Sequence, residues 1–458
     1  MKDLHMLKDE DVNVVFHIPS SQFFEVSSEL YDKLYNCNEL PMATERNDQK
    51  LADVLELLEN QIPLLPAKVV KKNRLDKLTI IVTQKCNLQC KYCFTDINDT
   101  KSSGKVMQLK TYQDSIEYIL KRYPDGINSI EFFGGEPLLE FVTIKRVEEN
   151  LRTLFLQRQI KMPHLGIITN GTCITPEMVD FFNECKMAVT ISIDGSKFIN
   201  DTIRCSTKID SVYDKLVENM KIINKNRCFI LGAEVTINQE HIKAYQNGEE
   251  WLTELSNLGF DFISMGNVEI KNSDCSIEEK DFHLYKKMCT EMYDKLFDMM
   301  CTNSHFASVD IIRGLRMLKS DHVQPVSCEG GVNILTILPD GIIEPCHILS
   351  ADSRYTMGSI YDKDDTQFDK IRSLSIMAQH SKPEKCKDCW MRNMCTAWCR
   401  GFGELLYKDT RSLSELRCML ADIVLERTIL NITKVQKYPE RYETFKQNLK
   451  RMKQFCGR

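Results

Sequence analysis

The stretch 84-QKCNLQCKYCFTD-96 places Cys86, Cys90 and Cys93 within eight residues, an arrangement that can hold metal. A structural zinc site wants four closed ligands and favours CxxC knuckles, whereas CxxxCxxC supplies three. Iron-sulfur clusters are held by Cys thiolates, and a four-iron cube with three protein ligands leaves one iron free for a substrate or cofactor. The spacing therefore points to an open, reactive cluster, with zinc as the alternative that spacing alone leaves standing. A second set follows much later: Cys328, Cys346, then 386-CKDCWMRNMCTAWC-399 with Cys386, Cys389, Cys395 and Cys399, then Cys418. With Gly341 it reads C-x12-G-x4-C, a gap, C-x2-C-x5-C-x3-C, a gap, and C. The other nine of the nineteen cysteines are scattered singly and read as small buried hydrophobes.

Composition limits what these thiols do. At 458 residues and 43% hydrophobic, the chain can bury large cores, and its length suggests about three domains. A net charge of -5 gives no footprint for nucleic acid, and the absence of any run of eighteen apolar residues excludes a membrane-spanning helix. MKDLHMLKDEDVNVVFHIP lacks the apolar core and cleavage site of a signal peptide, so a reducing cytoplasm is expected, where clustered cysteines mean metal or catalysis rather than disulfides.

The elements that must position the cysteines are strands. KLTIIVTQ (77–84), NSIEFFG (128–134), HLGIITN (164–170), MAVTISID (187–194), FILGAEVTI (229–237) and FDFISMGNV (260–268) are nearly continuous apolar runs, as strands of a parallel sheet covered on both faces should be. Helical patterns such as 108–123 and 175–185 separate them, so the unit is βα, repeated six times, and the fold class is α/β with a partial, TIM-like (β/α)6 barrel. The site then belongs at the C-terminal strand ends. The first strand runs into the three-cysteine loop; the second ends in 133-FGGEP-137, with Gly134, Gly135 and Glu136; the third in 169-TNGT-172, with Asn170; the fourth in 192-SIDG-195, with Ser192 and Asp194. Polar groups thus converge on one rim.

CxxxCxxC after a first strand, with Tyr92 inside and Phe94 after it, followed by GGEP, resembles the radical S-adenosylmethionine (radical SAM) enzymes. The resemblance implies that Cys86, Cys90 and Cys93 bind a 4Fe-4S cluster whose fourth iron is chelated by S-adenosyl-L-methionine, which an electron from the cluster cleaves to a 5'-deoxyadenosyl radical. It further implies cofactor contacts from the 134-GGE-136 segment, Asn170, Ser192, Asp194 and Arg204, with Phe94 near the adenine, and an external electron donor of flavodoxin or ferredoxin type. The late set looks like the seven-cysteine SPASM extension, which implies two auxiliary 4Fe-4S clusters, three in all. Family precedent gives one of them Cys386, Cys389, Cys395 and Cys418, and leaves Cys328, Cys346 and Cys399 to the other. The sulfatase-maturing relatives have an additional Cys shortly before the position of Cys328 and an Asp directly after that of Cys346. Here 320-SDHVQPVS-327 has no Cys, His322 and Cys301 are the available substitutes, and His347 stands in the place of the Asp. Both departures argue for thioether formation, with an open iron holding a substrate thiolate, over formylglycine formation, and add His347 to the catalytic set.

The first seventy residues bear on the substrate. NVVFHIPSS and SQFFEVS read as two strands, SSELYDKLYN and KLADVLELLEN as helices, an order that resembles the winged-helix-like leader-binding domain, or RiPP recognition element, of peptide maturases. The resemblance implies a precursor peptide whose leader adds as a strand to an exposed edge. The organisation expected is 1–70 leader-binding, 71–305 radical SAM core, 306–425 auxiliary-cluster domain and 426–458 terminal helices. In 276–301 a Ser276/Glu279 capping box precedes a stripe from Phe282 to Met299 that reads as core. The function expected is a radical SAM maturase that joins a Cys sulfur to carbon in a precursor peptide, closest in resemblance to the six-cysteine-peptide, or ranthipeptide, enzymes. Carbon-carbon crosslinking or formylglycine formation is the enzymatic alternative, and a peptide-binding or redox-sensing iron-sulfur or zinc protein the non-enzymatic one.

Overall fold

The computed structural model describes residues 3–39, 53–54, 56–58, 60–66, 73–93, 104–244, 250–271, 273–303, 305–324, 329–379 and 383–456. Phe94, Cys328 and residues 67–72, across the boundary expected at 70, lie outside them. The six apolar runs form β4 (Arg74–Thr83), β5 (Gly126–Gly134), β6 (His164–Thr169), β7 (Ala188–Ser192), β8 (Leu231–Ile237) and β9 (Phe262–Asn267). They lie side by side in sequence order and all parallel. Helices such as Leu109–Arg122, Phe141–Gln157 and Pro176–Cys185 cover the outside. Between its sheet and helices sits one continuous core that includes Ile80, Ile130, Ile167, Val189 and Ile263. This is the partial α/β barrel expected.

The sheet does not end at its sixth strand. The two-residue β10 (Ala307–Ser308) joins β9, and at the other edge β11 (Ile334–Ile337) runs parallel to β4, followed by the antiparallel β12 (Ile342–Glu344) and β13 (Gly358–Ser359). The late segment is therefore built onto the barrel's own sheet, which carries Cys346 and His347 to the edge of the first strand. The boundary drawn at 425 falls inside one helix, Glu415–Val435.

The N-terminal residues hold a three-stranded antiparallel sheet, β1 (Leu4–Lys8), β2 (Asn13–His17) and β3 (Gln22–Val26), ahead of helix Ser28–Glu39. The sequence led us to expect two strands. β1 escaped because it is covered on both sides: Leu4 packs with Val15, Leu34 and Leu58, while Leu7 points the other way with Val14 and Phe16 onto Leu425, Ile429 and Met394. A strand buried on both faces loses the alternation that betrays a half-buried one. The stripe in Phe282–Thr302 is core as expected, but no capping box precedes it: Ser276 Oγ donates to Ile270 O, and a short 3-10 turn, Glu279–Asp281, leads into the helix. Of the scattered cysteines, Cys275, Cys289 and Cys301 are buried, while Cys228 is exposed. No described helix is long and apolar enough to cross a membrane.

Candidate functional site

The three-cysteine loop leaves β4 at Thr83 and is pinned on two sides. Gly135 N and Glu136 N donate to Thr83 O and Lys85 O, each at 2.8 Å, and Gln89 N and Lys91 N donate to Cys205 O and Ile203 O at 2.7 and 3.0 Å. The glycine pair proves to serve backbone against backbone. A Cβ on Gly134 would stand 2.2 Å from Thr83 O, and one on Gly135 2.2 Å from Lys85 O, so no other residue fits without moving the loop. Glu136 is fully buried, and its carboxylate accepts from Leu138 N, Thr169 Oγ1 and Asn170 N at 3.0, 2.7 and 2.7 Å. Its side chain is thus a strut between β5 and β6, which turns the backbone of the segment toward the rim. Burial raises its pKa against those three donors.

Asn170 extends this strut to the cysteines. Its Nδ2 donates to Asn87 Oδ1 at 2.8 Å and lies 3.9 Å from Cys86 Sγ, and its Oδ1 accepts from Thr172 Oγ1 at 2.7 Å. Arg204 and Asp194 form a buried pair: Arg204 Nε and Nη2 reach Asp194 Oδ2 and Oδ1 at 2.9 and 3.2 Å, and Tyr92, inside the cysteine motif, donates to Asp194 Oδ2 at 2.7 Å. Arg204 Nη2 also donates to Tyr92 OH, and Thr236 N closes the set on Asp194 Oδ1 at 3.0 Å. Ser192 is half-buried at the end of β7. Burial pushes the Cys90 thiol up to about 12; Arg204 opposes this, and Cys93 and Cys86 stand close enough to reinforce it.

The late cysteines also gather. Burial pushes Cys395 up to about 12, opposed by the Ala397 N–H at 3.3 Å and reinforced by Cys418, Cys389 and Cys386. Cys399 caps helix Arg400–Tyr407, whose Gly401 abuts Ile348 and Cys346; a Cβ there would lie 3.6 Å from Cys346 Sγ. Cys418, Cys389 and Cys386 thus neighbour Cys395, and Cys346 lies beside the helix that begins after Cys399. Cys301 faces Arg441 and Asp298 at the far end of its helix, and His322 is engaged by Asp321 at 2.6 Å. Among the described residues no three His, Cys, Asp or Glu are pre-set around a single ion. Thiols are the donors that four-iron clusters take, so the residues of both sets fit such clusters chemically.

His347 lies at the barrel mouth, its ring 5.0 Å from that of Phe133, the residue before Gly134. Burial, with Lys77 adding to it, pushes its pKa down to about 4, so it is neutral. Three charged residues were not singled out from the sequence. Lys77 pairs with Glu131 at 2.6 Å, and Glu234, raised by burial first and by Glu131 next, comes within reach of both although two strands separate β5 from β8. Only a sheet curled on itself brings them together, so all three face the barrel interior. For Glu131 and Glu234 the signal was a charge in the middle of an otherwise apolar strand; Lys77 stands at the start of its apolar run. A cavity of about 130 Å³, lined by Asn267, Asp310, Cys395 and Arg417, lies on the other side of β9, away from this mouth.

Residues 80–229 match the radical SAM superfamily model. Over 367 residues the chain is 25% identical to a cysteine-type anaerobic sulfatase-maturating enzyme of Clostridium novyi, covering 77% of this chain and 94% of the relative. Native anSMEcpe with bound AdoMet superposes with a TM-score of 0.65 at 20% identity over 78% of this chain and 98% of that one. Streptococcus suis SuiB does so with a TM-score of 0.50 at 14% identity over 91% and 99%. Further structures of these two proteins hold the Kp18Cys peptide and the precursor peptide SuiA, respectively.

Proposed function

From the premise that residues 80–229 are a radical SAM domain, we propose that this protein is a radical SAM enzyme that modifies a ribosomally made peptide by joining a Cys sulfur to carbon. S-adenosylmethionine on a 4Fe-4S cluster supplies one-electron chemistry able to remove hydrogen from unactivated carbon. Cys86, Cys90 and Cys93 would hold that cluster; the donor chemistry fits, since three thiols converge in a buried place with a guanidinium close by. Asp194, Tyr92 and Arg204 keep the loop in position, and the Gly134–Gly135 backbone, Asn170 and Ser192 form the rim that a cofactor meets. Phe94 and Cys328 belong to the same assignment.

Thioether formation takes one hydrogen atom, one proton and one electron from the substrate. The hydrogen atom would go to the radical derived from S-adenosylmethionine, the proton to His347 beside Phe133, and the electron to auxiliary clusters that the four-thiol and Cys346/Cys399 groups would hold. An external flavodoxin or ferredoxin would deliver the initiating electron. For the peptide, β3 pairs only with β2 among the described strands and presents an edge beside helix Ser28–Glu39, where a leader could add as a strand. The likeness to peptide-handling proteins supports the same reading.

The observation that carries the proposal is His347 at the barrel mouth, because it brings the late cysteine segment to the rim of the first. Formylglycine formation is the second reading, favoured by the similarity to the sulfatase-maturating enzyme. Anaerobic co-expression with candidate Cys-containing precursor peptides, followed by tandem mass spectrometry, separates them. Loss of two hydrogens with a Cys that resists alkylation is expected; an aldehyde product would sink the thioether reading.

A further inference from the structure

Five residues, 390-WMRNM-394, separate Cys389 from Cys395, and they pack on the N-terminal sheet or bind the residues that flank its strands. Trp390 stacks on His5 of β1, centroids 4.3 Å apart and planes 6° from parallel, and takes the edge of Phe16 of β2 at 5.2 Å. Met391 and Met394 are buried in one apolar cluster with Val14 and Phe16. Arg392 pairs with Asp3 at 2.8 Å, and Asn393 Nδ2 donates to Ile18 O at 2.9 Å. Trp390 Nε1 donates in turn to Asp422 Oδ1 at 2.7 Å, one helical turn past Cys418. One indole therefore joins the Cys389 side of the four-thiol group, its Cys418 side and the N-terminal sheet.

We propose that the N-terminal sheet is the outer wall of the second auxiliary site, and that Trp390, clamped between His5 and Asp422, is the positioning residue that sets the places of Cys389 and Cys395. Within the loop the backbone order is a run of turn bonds, Arg392 N to Cys389 O at 3.0 Å and Met394 N and Cys395 N to Met391 O at 2.9 Å, and it is the side chains of 390–394 that anchor these turns to the N-terminal residues. Short loops keep such positions only when neighbours over-determine them. A sheet thought to serve peptide capture thus has a second task, which ties removal or movement of that domain to the metal site. The inference rests on reading Cys386, Cys389, Cys395 and Cys418 as cluster ligands.

The test uses anaerobically reconstituted full-length protein, with iron counting and electron paramagnetic resonance (EPR) of the reduced clusters. Wild type should hold about twelve irons, three clusters of four. His5→Ala and Trp390→Ala should lose about four of them, or keep them with a changed EPR signal from one auxiliary cluster. Trp390→Phe, which keeps a ring in the stack, should restore most of the iron. Lys437→Ala removes a contact of the same sheet, with Glu25, outside the cysteine loop and should match wild type. His5→Ala leaves the ligand loop's own sequence intact, so it decides the matter even where Trp390→Ala fails to fold. Wild-type iron and an unchanged signal in His5→Ala overturn this proposal alone. Wild-type protein holding only about four irons overturns it together with the reading beneath it.

Discussion

The loop 86–93 is fastened by groups of its own barrel: backbone donors just past the end of β5, backbone acceptors at Ile203 and Cys205, and a buried Arg204–Asp194–Tyr92 set. The loop 386–395 is fastened by side chains from a sheet nearly four hundred residues earlier, through ring stacking and apolar contact. The first arrangement admits almost no movement, because backbone meets backbone. The second can yield, because side chains rotate. On the function proposed, a site that holds a cofactor and a substrate in register would gain from the former, and one that holds only its own cluster would tolerate the latter.

Alanine at a glycine in each region should expose this difference most strongly. At Gly135 the new Cβ would lie 2.2 Å from Lys85 O and 2.6 Å from Lys85 C, so strand and loop must separate. A loss above about 4 kcal/mol by denaturant unfolding, or insoluble protein, is expected. At Gly401, in the helix that follows the second loop, the Cβ meets Ile348 Cγ2 at 2.9 Å and Ile348 Cβ at 3.0 Å; rotation relieves the first and a shift of a few tenths of an ångström the second, and about 1–3 kcal/mol is expected. Equal costs at the two sites would remove the distinction.

The buried pair comes next. Arg204→Leu leaves Asp194 fully buried with a charge and no cation, at a cost of about 3–5 kcal/mol and with loss of the iron bound by the first loop. Arg204→Lys keeps the charge but lacks the planar fork that meets both Asp194 oxygens and Tyr92, so partial iron binding is expected. Full iron binding in Arg204→Leu would show that the backbone bonds alone hold the loop.

These differences track what could be read from the sequence. The first region was legible because its order is local: the six strands, the GG pair and the cysteine spacing are properties of contiguous residues. Even there the chemistry shifted, since Glu136 proves a strut and the glycines fit backbone to backbone. The attachment of Trp390 to His5 was invisible, because neither residue carries a periodic or motif signal and the contact spans the chain. β1 was missed for a related reason: both of its faces are covered, one by the late helix. Glu131 and Glu234 were overlooked although each breaks the apolar pattern of its strand, and that break was the available clue; Lys77, at the start of its run, offered none.

Between the two regions, Glu269, just past β9, faces Arg417 beside Cys418 at 3.9 Å. Burial pushes its pKa up to about 7, against Arg417 and a hydrogen bond from Ser414. A carboxyl raised in the folded state binds its proton more tightly there than in the unfolded chain. Stability should therefore fall as pH rises from about 4.5 to about 7 and level off above, by roughly 2–4 kcal/mol at 1.36 kcal/mol per pKa unit. Glu269→Gln should flatten that slope in unfolding measurements from pH 5 to 8. An unchanged slope would assign the pH dependence to other groups and leave the seam without a titrating member.

The smallest effect separates two contacts of the N-terminal sheet with helix Glu415–Val435 and its continuation. Asp9 is held by Arg427 at 2.6 Å and Lys434 at 2.9 Å; burial alone would raise its pKa, but these partners bring it down to about 2. Its contribution is complete above about pH 4 and lost as pH falls toward 2, and after screening it amounts to about 1–2 kcal/mol. Lys437 and Glu25, both nearly half exposed at 2.6 Å, should contribute under about 0.5 kcal/mol. Asp9→Asn should therefore lower stability at pH 7 and lose its effect near pH 2, while Lys437→Ala should be near neutral throughout. If both were neutral, apolar packing and the Trp390 stack would carry the attachment alone, and the yielding character of the second region would extend to the whole domain contact.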